Sequence, residues 1–255
     1  MTYEWKSRVR YSETGADGRL SLTGLVNYFQ DCSTFQSEEI GLGWKYLNEK
    51  QRAWVLSSWQ IEITSLPVMG EKIIVKTWAH SFKGFYGGRN FLLLDEKEKV
   101  MAYANTNWVF MDLETGHPAK IDQEEIKGYQ LEKPYEMTYA PRKLPFPEEG
   151  IRQEKFQVRK HHLDTNRHVN NGQYIAMAQE YLPEQFCLRA MRAEYKKAAL
   201  LHDWMIPVVK QDQDGITVAL CSEQEKPYAI VKFYDATSKN RSFDDRAMDS
   251  KKISV

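Results

Sequence analysis

The two halves of the chain follow the same pattern of segments, and this repeat limits the fold more than any other feature of the sequence. In the first half, a helix-like stripe of apolar residues follows Leu22 and contains Leu25, Phe29 and Cys32. Segments rich in β-branched and aromatic residues come next, at residues 54–63, 72–79, 89–94 and 101–111. One helix followed by such strands predicts an α+β module in which an antiparallel sheet wraps around the helix.

A proline-rich segment separates the two halves. Pro141, Pro145 and Pro147 lie close together, and proline is disfavoured in the interior of both helices and sheets. We therefore predict an N-terminal domain, a linker, a C-terminal domain and a polar tail, at residues 1–140, 141–151, 152–240 and 241–255.

The second half repeats the order of the first. A helix predicted from about Asn170 to Leu182 corresponds to the helix after Leu22, and residues 155–159 correspond to residues 5–9. Residues 193–203 correspond to residues 61–71, and residues 216–221 and 228–234 correspond to the last two strand segments of the first half. Because a shared order is stronger support than any single match, we predict two tandem modules that pair edge to edge as an internal dimer. The whole chain is then a monomer or a homodimer.

Charge and cysteine content exclude several classes of function. Lys plus Arg equals Asp plus Glu, at 35 each, so the overall charge gives no reason to expect nucleic acid or a membrane as a partner. No apolar run is long enough to span a bilayer, and the first residues lack a signal-peptide core. Cys32, Cys187 and Cys221 form neither a metal pattern nor a disulfide framework, and Cys32 lies on the apolar helix stripe, which favours a core role. We expect a cytoplasmic protein without metal or cofactor.

The segment from His162 to Asn171 is the strongest candidate for chemistry. Asp164, Asn166 and His168 occupy alternate positions directly before the second predicted helix. Free N–H groups at a helix start can bind an oxyanion, and a histidine can accept a proton near neutral pH. We therefore predict that these three residues are catalytic and that water is the nucleophile.

The roles within this segment remain open. Asp164 either activates water itself or orients and charge-stabilises His168, while Asn166 holds a carbonyl oxygen or positions the water. Ordinary turn and cap chemistry also explains Asp-x-Asn-x-His before a helix. His161 and His162 are alternative bases, although we interpret them as strand residues with a surface or packing role.

We predict substrate contacts outside the trio as well. Asn170 and Asn171 stand at the start of the second helix, where either could be its cap. Trp54 begins the first long strand segment. Gly84 begins a glycine-rich segment that lacks the Lys-Ser/Thr of a phosphate loop and is interpreted as a hairpin or a rim beside the substrate.

The string LDTNRHVNNGQYI, from Leu163 to Ile175, closely resembles the signature of acyl-acyl carrier protein thioesterases, the double hot-dog enzymes of plants and bacteria. The resemblance extends from about Tyr3 to about Tyr234. Its other segments are residues 10–18, 54–56, 70–71, 77–78 and 104–112.

The resemblance implies a hot-dog fold in each half, with the first module holding most of the acyl chain and the second supplying the catalytic groups. The family's Asp, Asn and His fall on Asp164, Asn166 and His168. The implied partner is acyl carrier protein (ACP) bearing a fatty acyl-phosphopantetheine, and the implied form is bacterial and cytoplasmic.

One stretch departs from the plant enzymes, in which an acidic residue and then a Cys follow Glu-Tyr-Arg-Arg. The matching residues here are 194–199, EYKKAA, so Ala198 and Ala199 occupy both positions. A Cys nucleophile is therefore excluded at this place, and the acidic helper is missing. Glu194 and Glu180 are the candidates to replace that helper.

These features together predict hydrolysis of fatty acyl-ACP by water activated at Asp164 and His168, with the helix N-terminus as the oxyanion site. An acyl-CoA thioesterase and a non-catalytic acyl-thioester binding module are the alternatives, and acyl chain length stays open. Basic pairs that could contact an acidic carrier, although a solvated surface also explains each of them, are Arg142–Lys143, Arg159–Lys160 and Lys196–Lys197.

Overall fold

The structure is a computed structural model that describes residues 1–236. The helices are α1 (Leu22–Glu39), α2 (Trp44–Glu49), α3 (Gln123–Ile126) and α4 (Asn171–Gln179), with 3-10 helices at Tyr11–Glu13 and Lys160–His162. The strands are β1 (Tyr3–Arg8), β2 (Arg52–Ile63), β3 (Lys72–Lys83), β4 (Tyr86–Asp95), β5 (Val100–Asp112), β6 (Ile151–Arg152), β7 (Phe156–Gln157), β8 (Leu188–Tyr195), β9 (Trp204–Gln211), β10 (Gly215–Cys221) and β11 (Pro227–Asp235). The predicted tail at residues 241–255 lies outside the described residues, and within residues 1–236 no helix has the length and apolar character needed to cross a membrane.

The order of the strands in the antiparallel sheet is symmetric about the boundary between the two halves. The order is β1-β3-β4-β5-β2 in the first half and β8-β11-β10-β9-β6 in the second, with β7 also paired to β9. The halves meet where Ser58–Glu62 of β2 pairs with Ala190–Glu194 of β8. Since β8, β9, β10 and β11 take the places of β2, β3, β4 and β5 across this seam, the prediction of two tandem modules that pair edge to edge is confirmed.

The apolar stripe of α1 lies at the centre of the core. Leu25, Phe29 and Cys32 are all fully buried. The ring of Phe29 lies 6.1 Å from that of Trp59 in β2 and 5.2 Å from that of Phe91 in β4, so the helix packs on the sheet as predicted. Burial raises the pKa of the Cys32 thiol to about 12, which agrees with its interpretation as a core residue.

Helix α4 runs antiparallel to α1 and begins beside its middle. Asn171 Nδ2, at the start of α4, donates to Gln30 Oε1 at 3.3 Å. Thr23 Oγ1, at the start of α1, donates to Gln179 Oε1 at the end of α4, at 3.4 Å. This crossing places the N-terminus of α4 next to the first module.

The predicted extent of the helix in the second module was wrong. Helix α4 ends at Gln179 instead of Leu182, because the N–H groups of Tyr181 and Leu182 bond three residues back and a proline follows at position 183. Residues 155–159, which the repeat matches to residues 5–9, form only the two-residue strand β7, and Val158 N–H donates to Asp203 O at 2.9 Å directly after it.

Candidate active site

A tight loop connects the 3-10 helix Lys160–His162 to α4. Leu163 and Val169 form an antiparallel bridge across it, and Asp164 N–H donates to His168 O at 2.8 Å. Arg167 turns the chain with φ at +62°. The loop therefore places all three predicted catalytic residues directly before the helix.

The carboxylate of Asp164 holds this loop together. Its Oδ1 accepts hydrogen bonds from Asn166 N–H at 2.8 Å and from His168 N–H at 3.1 Å. Its Oδ2 has no hydrogen-bond partner within residues 1–236, so one oxygen shapes the loop and the other remains available to water or substrate.

The side chains of Asn166 and His168 are exposed. Within the described residues, His168 uses its backbone N–H and C=O in the loop, while its imidazole makes no hydrogen bond or ion pair. Asp164 and His168 thus share a loop without a hydrogen bond between their side chains. The imidazole is free to contact a substrate or a water.

One backbone N–H group in the first turn of α4 is available to bind a ligand. Asn170 Oδ1 accepts from Gly172 N–H at 2.8 Å, and Asn170 O accepts from Gln173 N–H at 2.9 Å. These bonds leave the N–H of Asn171 as the donor that can face a ligand. Asn170 is therefore the cap of the helix and Asn171 is its first residue; their contact with substrate stays a prediction.

Two tyrosines, the buried Tyr174 and the half-buried Tyr195, hold this turn in place. Tyr195 OH donates to Asn171 O at 2.9 Å, and Tyr174 OH accepts from Ala199 N–H at 2.8 Å. Burial raises the pKa of both phenols, so they stay protonated. Val169 N–H donates to Ala199 O at 3.0 Å, which ties the Asp164–His168 loop to the β8–β9 loop.

The first module contains a copy of this loop before α1. There, Gly15 N–H donates to Arg19 O at 2.8 Å and Asp17 Oδ1 accepts from Arg19 N–H at 3.0 Å. Gly18 has φ at +73°, matching the turn at Arg167. The same backbone therefore forms with Gly, Asp and Arg where the second module has Asp164, Asn166 and His168. Asp17 accepts there the hydrogen bond that Asp164 accepts from His168 N–H, so this backbone can form without the Asp-Asn-His combination.

A cavity of about 310 Å³ opens beside the loop. Asn166 lines it, and every other lining residue belongs to the first module. Its apolar walls include Trp54, Phe82, Trp108 and the backbone of Gly87. The structure therefore places the second module's Asn166 at a pocket built by the first module.

Trp54 and Gly84, the two predicted contacts in the first module, differ in their position. Trp54 lines the cavity, where its ring lies 4.8 Å from that of Phe110 and 5.8 Å from that of Phe82. Gly84 forms the β3–β4 hairpin turn, with φ at +66°, and is not part of the cavity wall. The hairpin that we expected there is present.

Comparisons with known proteins decide the family. A model of the acyl-ACP thioesterase N-terminal domain matches residues 1–129, and a model of the acyl-ACP thioesterase C-terminal domain matches residues 147–224. The chain belongs to the acyl-ACP thioesterase family. The predicted domain limits at residues 140 and 152 are not tested by these matches and stay a prediction.

Named relatives of this family include plant proteins. The chain is 25% identical to oleoyl-acyl carrier protein thioesterase 1, chloroplastic, of Arabidopsis thaliana, over 77% of this chain and 60% of that protein. It is 29% identical to an acyl-[acyl-carrier-protein] hydrolase of Cuphea viscosissima, over 72% of this chain and 48% of that protein. The chain thus spans about half to three fifths of the length of these relatives.

Solved structures of acyl-ACP thioesterases share the fold. One from Bacteroides thetaiotaomicron has a TM-score of 0.83 at 22% identity and covers 91% of this chain and 97% of its own. The 12:0-ACP thioesterase from Umbellularia californica has a TM-score of 0.79 at 18% identity and covers 91% and 96%. The α+β, double hot-dog fold that we predicted is confirmed.

Ala198 and Ala199, where the resemblance to the plant enzymes implies an acid and a Cys, lie beside the Asp164–His168 loop. Ala199 is fully buried between the loop and Tyr174, and Ala198 is exposed. Neither Glu194 nor Glu180, the two candidates to replace the missing acid, is placed to act in this loop. Glu194 is buried with its Oε2 accepting from Leu144 N–H at 2.8 Å, and Glu180 lies at the opposite end of α4 from the loop.

The alternative bases, His161 and His162, lie in the 3-10 helix before the loop, which corrects their expected place on a strand. His162 Nδ1 accepts from Arg159 N–H at 3.0 Å, so the proton of the neutral ring is on Nε2. Burial, His161 and Arg159 lower the pKa of His162. This tautomer leaves His162 no free nitrogen with which to accept a proton.

Several cavity residues gave no functional signal in the sequence. They come from the second half of α1, from α2, from β4 and from the segment after α3, and include Ser33, Thr34, Ser37, Asn48, Arg89 and Tyr129. Among residues 1–236, no group of His, Cys, Asp or Glu is arranged to hold a metal ion.

Proposed function

We propose that the protein hydrolyses fatty acyl-ACP thioesters, releasing free fatty acid and holo-ACP. One observation carries this proposal: Asn166, the middle residue of the Asp-Asn-His loop, lines a cavity that is otherwise built by the other module. An acyl chain in this cavity would have its thioester at the loop. The loop in the first module forms without these residues, which favours a functional reason for their presence in the second.

The proposed reaction uses water. The water oxygen bonds to the carbonyl carbon while its proton passes to His168, or to Asp164 Oδ2. The Asn171 N–H, with the dipole of α4 behind it, stabilises the oxyanion. The carbon–sulfur bond then breaks, and the proton moves from the base to the departing phosphopantetheine thiolate.

The charges around the loop favour a carrier protein as the acyl donor. Exposed cations surround it on the preceding 3-10 helix, in the loop and on the β8–β9 loop: Arg159, Lys160, Arg167, Lys196 and Lys197. Only Lys196 forms an ion pair within the described residues, with Glu194 at 3.0 Å. A protein with no net charge thus concentrates positive charge where an acidic carrier would dock.

Fatty-acid release from acyl-ACP, acyl-CoA and acyl-pantetheine tests the proposed function directly. We expect the highest kcat/KM with acyl-ACP. A preference for acyl-CoA would support the CoA alternative, and saturable binding with no turnover would support a binding module. A cytoplasmic location stays a prediction.

Charge reversal at the cationic rim should weaken carrier binding without stopping the reaction. We expect Arg159→Glu with Lys197→Glu to raise KM for acyl-ACP by roughly 10-fold at low salt and to leave kcat nearly unchanged, because rim charges act mainly on encounter. The difference from the wild type should shrink at high salt.

Two comparisons control this experiment. Lys6→Glu, on the edge strand β1, makes the same type of change far along the sheet and should leave KM unchanged. Acyl-pantetheine, which has no carrier protein, should show the same KM with every variant. An unchanged KM for acyl-ACP in the double variant would rule out docking on this rim.

Trp54 should limit the length of the acyl chain. We expect Trp54→Ala to shift the preference toward longer chains, raising the long-to-short kcat/KM ratio roughly 10-fold, since each buried methylene contributes about 0.8 kcal/mol. Trp204→Ala, the same change on β9 outside the cavity, is the matched control and should keep the wild-type chain-length profile. An identical profile for both variants would contradict the placement of the acyl chain against Trp54.

A further inference from the structure

Gln30, in the middle of α1, contacts the first residue of α4. Its Oε1 accepts a hydrogen bond from Asn171 Nδ2 at 3.3 Å, and Asn171 O in turn accepts from Tyr195 OH at 2.9 Å. The side chain of Gln30 is half-buried. A residue of the first module therefore lies beside the helix start whose N–H group we propose as the oxyanion donor.

The carboxamide of Gln30 has a free end. Because its oxygen is bonded to Asn171, its Nε2 group with two N–H donors remains, and within residues 1–236 no group accepts a hydrogen bond from it. The neighbouring hydroxyls are engaged, since Ser33 Oγ and Thr34 Oγ1 donate to Gln30 O at 2.8 Å and 3.0 Å. Of these three side chains, only Gln30 can still donate to a carbonyl oxygen.

The same side of α1 leads into the cavity. Ser33 and Thr34 follow Gln30 by three and four residues, so all three side chains lie on one side of the helix. Ser33 and Thr34 both line the cavity, together with Asn166 of the second module. A thioester group between an acyl chain in this cavity and the start of α4 would therefore lie beside Gln30.

Gln179 occupies the equivalent place in the second module. Gln30 lies nine residues after Ser21, the N-cap of α1. Gln179 likewise lies nine residues after Asn170, the N-cap of α4, and its Oε1 accepts from Thr23 Oγ1 at the start of α1. Both glutamines thus join the two helices, but only Gln30 stands next to the Asp-Asn-His loop. Gln179 is therefore a control for the structural part of this contact.

We propose that Gln30 is a catalytic residue, whose Nε2 group donates a hydrogen bond to the thioester carbonyl oxygen and to the oxyanion that forms from it. It is the second donor of the oxyanion site, beside Asn171 N–H. This inference rests on the proposed function and completes its site. Donors that are already fixed stabilise the developing charge most, and Asn171 fixes the amide of Gln30 through its oxygen. Each module then supplies one of the two donors.

Gln30→Met removes the donor and keeps an unbranched side chain of similar length. We expect kcat for acyl-ACP to fall by about 10²-fold or more with little change in KM, because the lost interaction is strongest in the transition state. Gln179→Met makes the same change at the equivalent place and should lower the melting temperature by a similar amount while keeping near-wild-type kcat. A loss of kcat in Gln30→Met no larger than in Gln179→Met overturns the inference.

Gln30→Glu gives a signature that a structural role would not produce. It keeps an oxygen for Asn171 Nδ2 but places a carboxylate beside the oxyanion, so kcat at neutral pH should also fall by about 10²-fold or more. As the pH falls from about 8 to 5, toward the usual carboxyl pKa of about 4.3, protonation restores a donor. The ratio of its kcat to that of the wild type should therefore rise with acidity, and a constant ratio contradicts the proposed contact.

Binding of two unreactive acyl-pantetheine analogues provides a readout independent of turnover. One has a methylene in place of the thioester sulfur and keeps the carbonyl, and the other has a methylene in place of the carbonyl. In titration calorimetry, the preference for the carbonyl analogue should be roughly 5-fold smaller in Gln30→Met than in the wild type and in Gln179→Met, which is the effect of one neutral hydrogen bond. Equal preferences in all three proteins overturn the inference. If no acyl-ACP is hydrolysed, the proposed function fails, while the calorimetry still decides whether Gln30 binds the carbonyl oxygen.

Discussion

His168→Ala is expected to lower kcat for acyl-ACP hydrolysis by about 10²- to 10⁴-fold, the contribution usual for a general acid–base group. The fold should not change, because the loop uses only the backbone of His168 and the same backbone forms around Arg19 in the first module. Steady-state release of fatty acid, with thermal melting as the check on folding, measures both effects.

Asp164 needs a subtler change, since one of its oxygens holds the loop. Asp164→Asn keeps an acceptor for the N–H groups of Asn166 and His168 while removing the charge. A large loss of kcat in Asp164→Asn would assign a chemical role to the carboxylate, whereas a loss seen only in Asp164→Ala would assign a positioning role. Asp17→Asn, the same change in the first-module loop, should leave activity intact. Full activity in a His168→Ala, Asp164→Ala double variant would exclude the proposed site.

The module architecture could be predicted from the repeat, because local sequence patterns indicate each helix and strand of a module. The stripe through Leu25 and Phe29 has the period of a helix, and the segments after it have the composition of strands. Equal order in both halves then predicted two similar sheets, and pairing through their edges follows because an unpaired edge strand is a liability. In the structure, the two sheets join where Ser58–Glu62 pairs with Ala190–Glu194.

The cavity could not be predicted in this way. Its walls join residues from Ser33 to Tyr129 with Asn166, and no local pattern encodes contacts over such separations. The six-residue helix α2 was missed because it is shorter than the window in which helical periodicity can be measured.

The two modules also differ in the number and length of their helices, which the repeat in the sequence did not indicate. Helix α1 has 18 residues and is followed by α2, whereas α4 has nine and leads to β8 without a second helix. The cavity therefore belongs to the first module, which has the longer helix cover. The Asp164–His168 loop belongs to the second, whose short helix starts beside α1. Under the proposed function, the two diverged copies divide acyl-chain binding and chemistry between them.

Gly215→Ala is expected to destabilise the protein by roughly 3 kcal/mol or more, because the backbone there has no room for a side chain. A Cβ at Gly215 would lie 1.8 Å from Phe233 O, a backbone atom that cannot move without breaking the pairing of β10 with β11. For a chain of this size we expect the melting temperature to fall by about 6–12 °C.

Gly116→Ala separates this clash from ordinary backbone strain. Gly116 has φ at +69° with open space around it, so alanine should cost only about 1 kcal/mol there. Urea unfolding of both variants measures the difference, and equal losses would contradict the steric argument. Because α4 packs on β10 and β11, the distortion in Gly215→Ala should also reach the loop before α4, where the proposed catalytic residues lie. The kcat of Gly215→Ala should therefore be lower than that of Gly116→Ala, even at temperatures where both variants are fully folded.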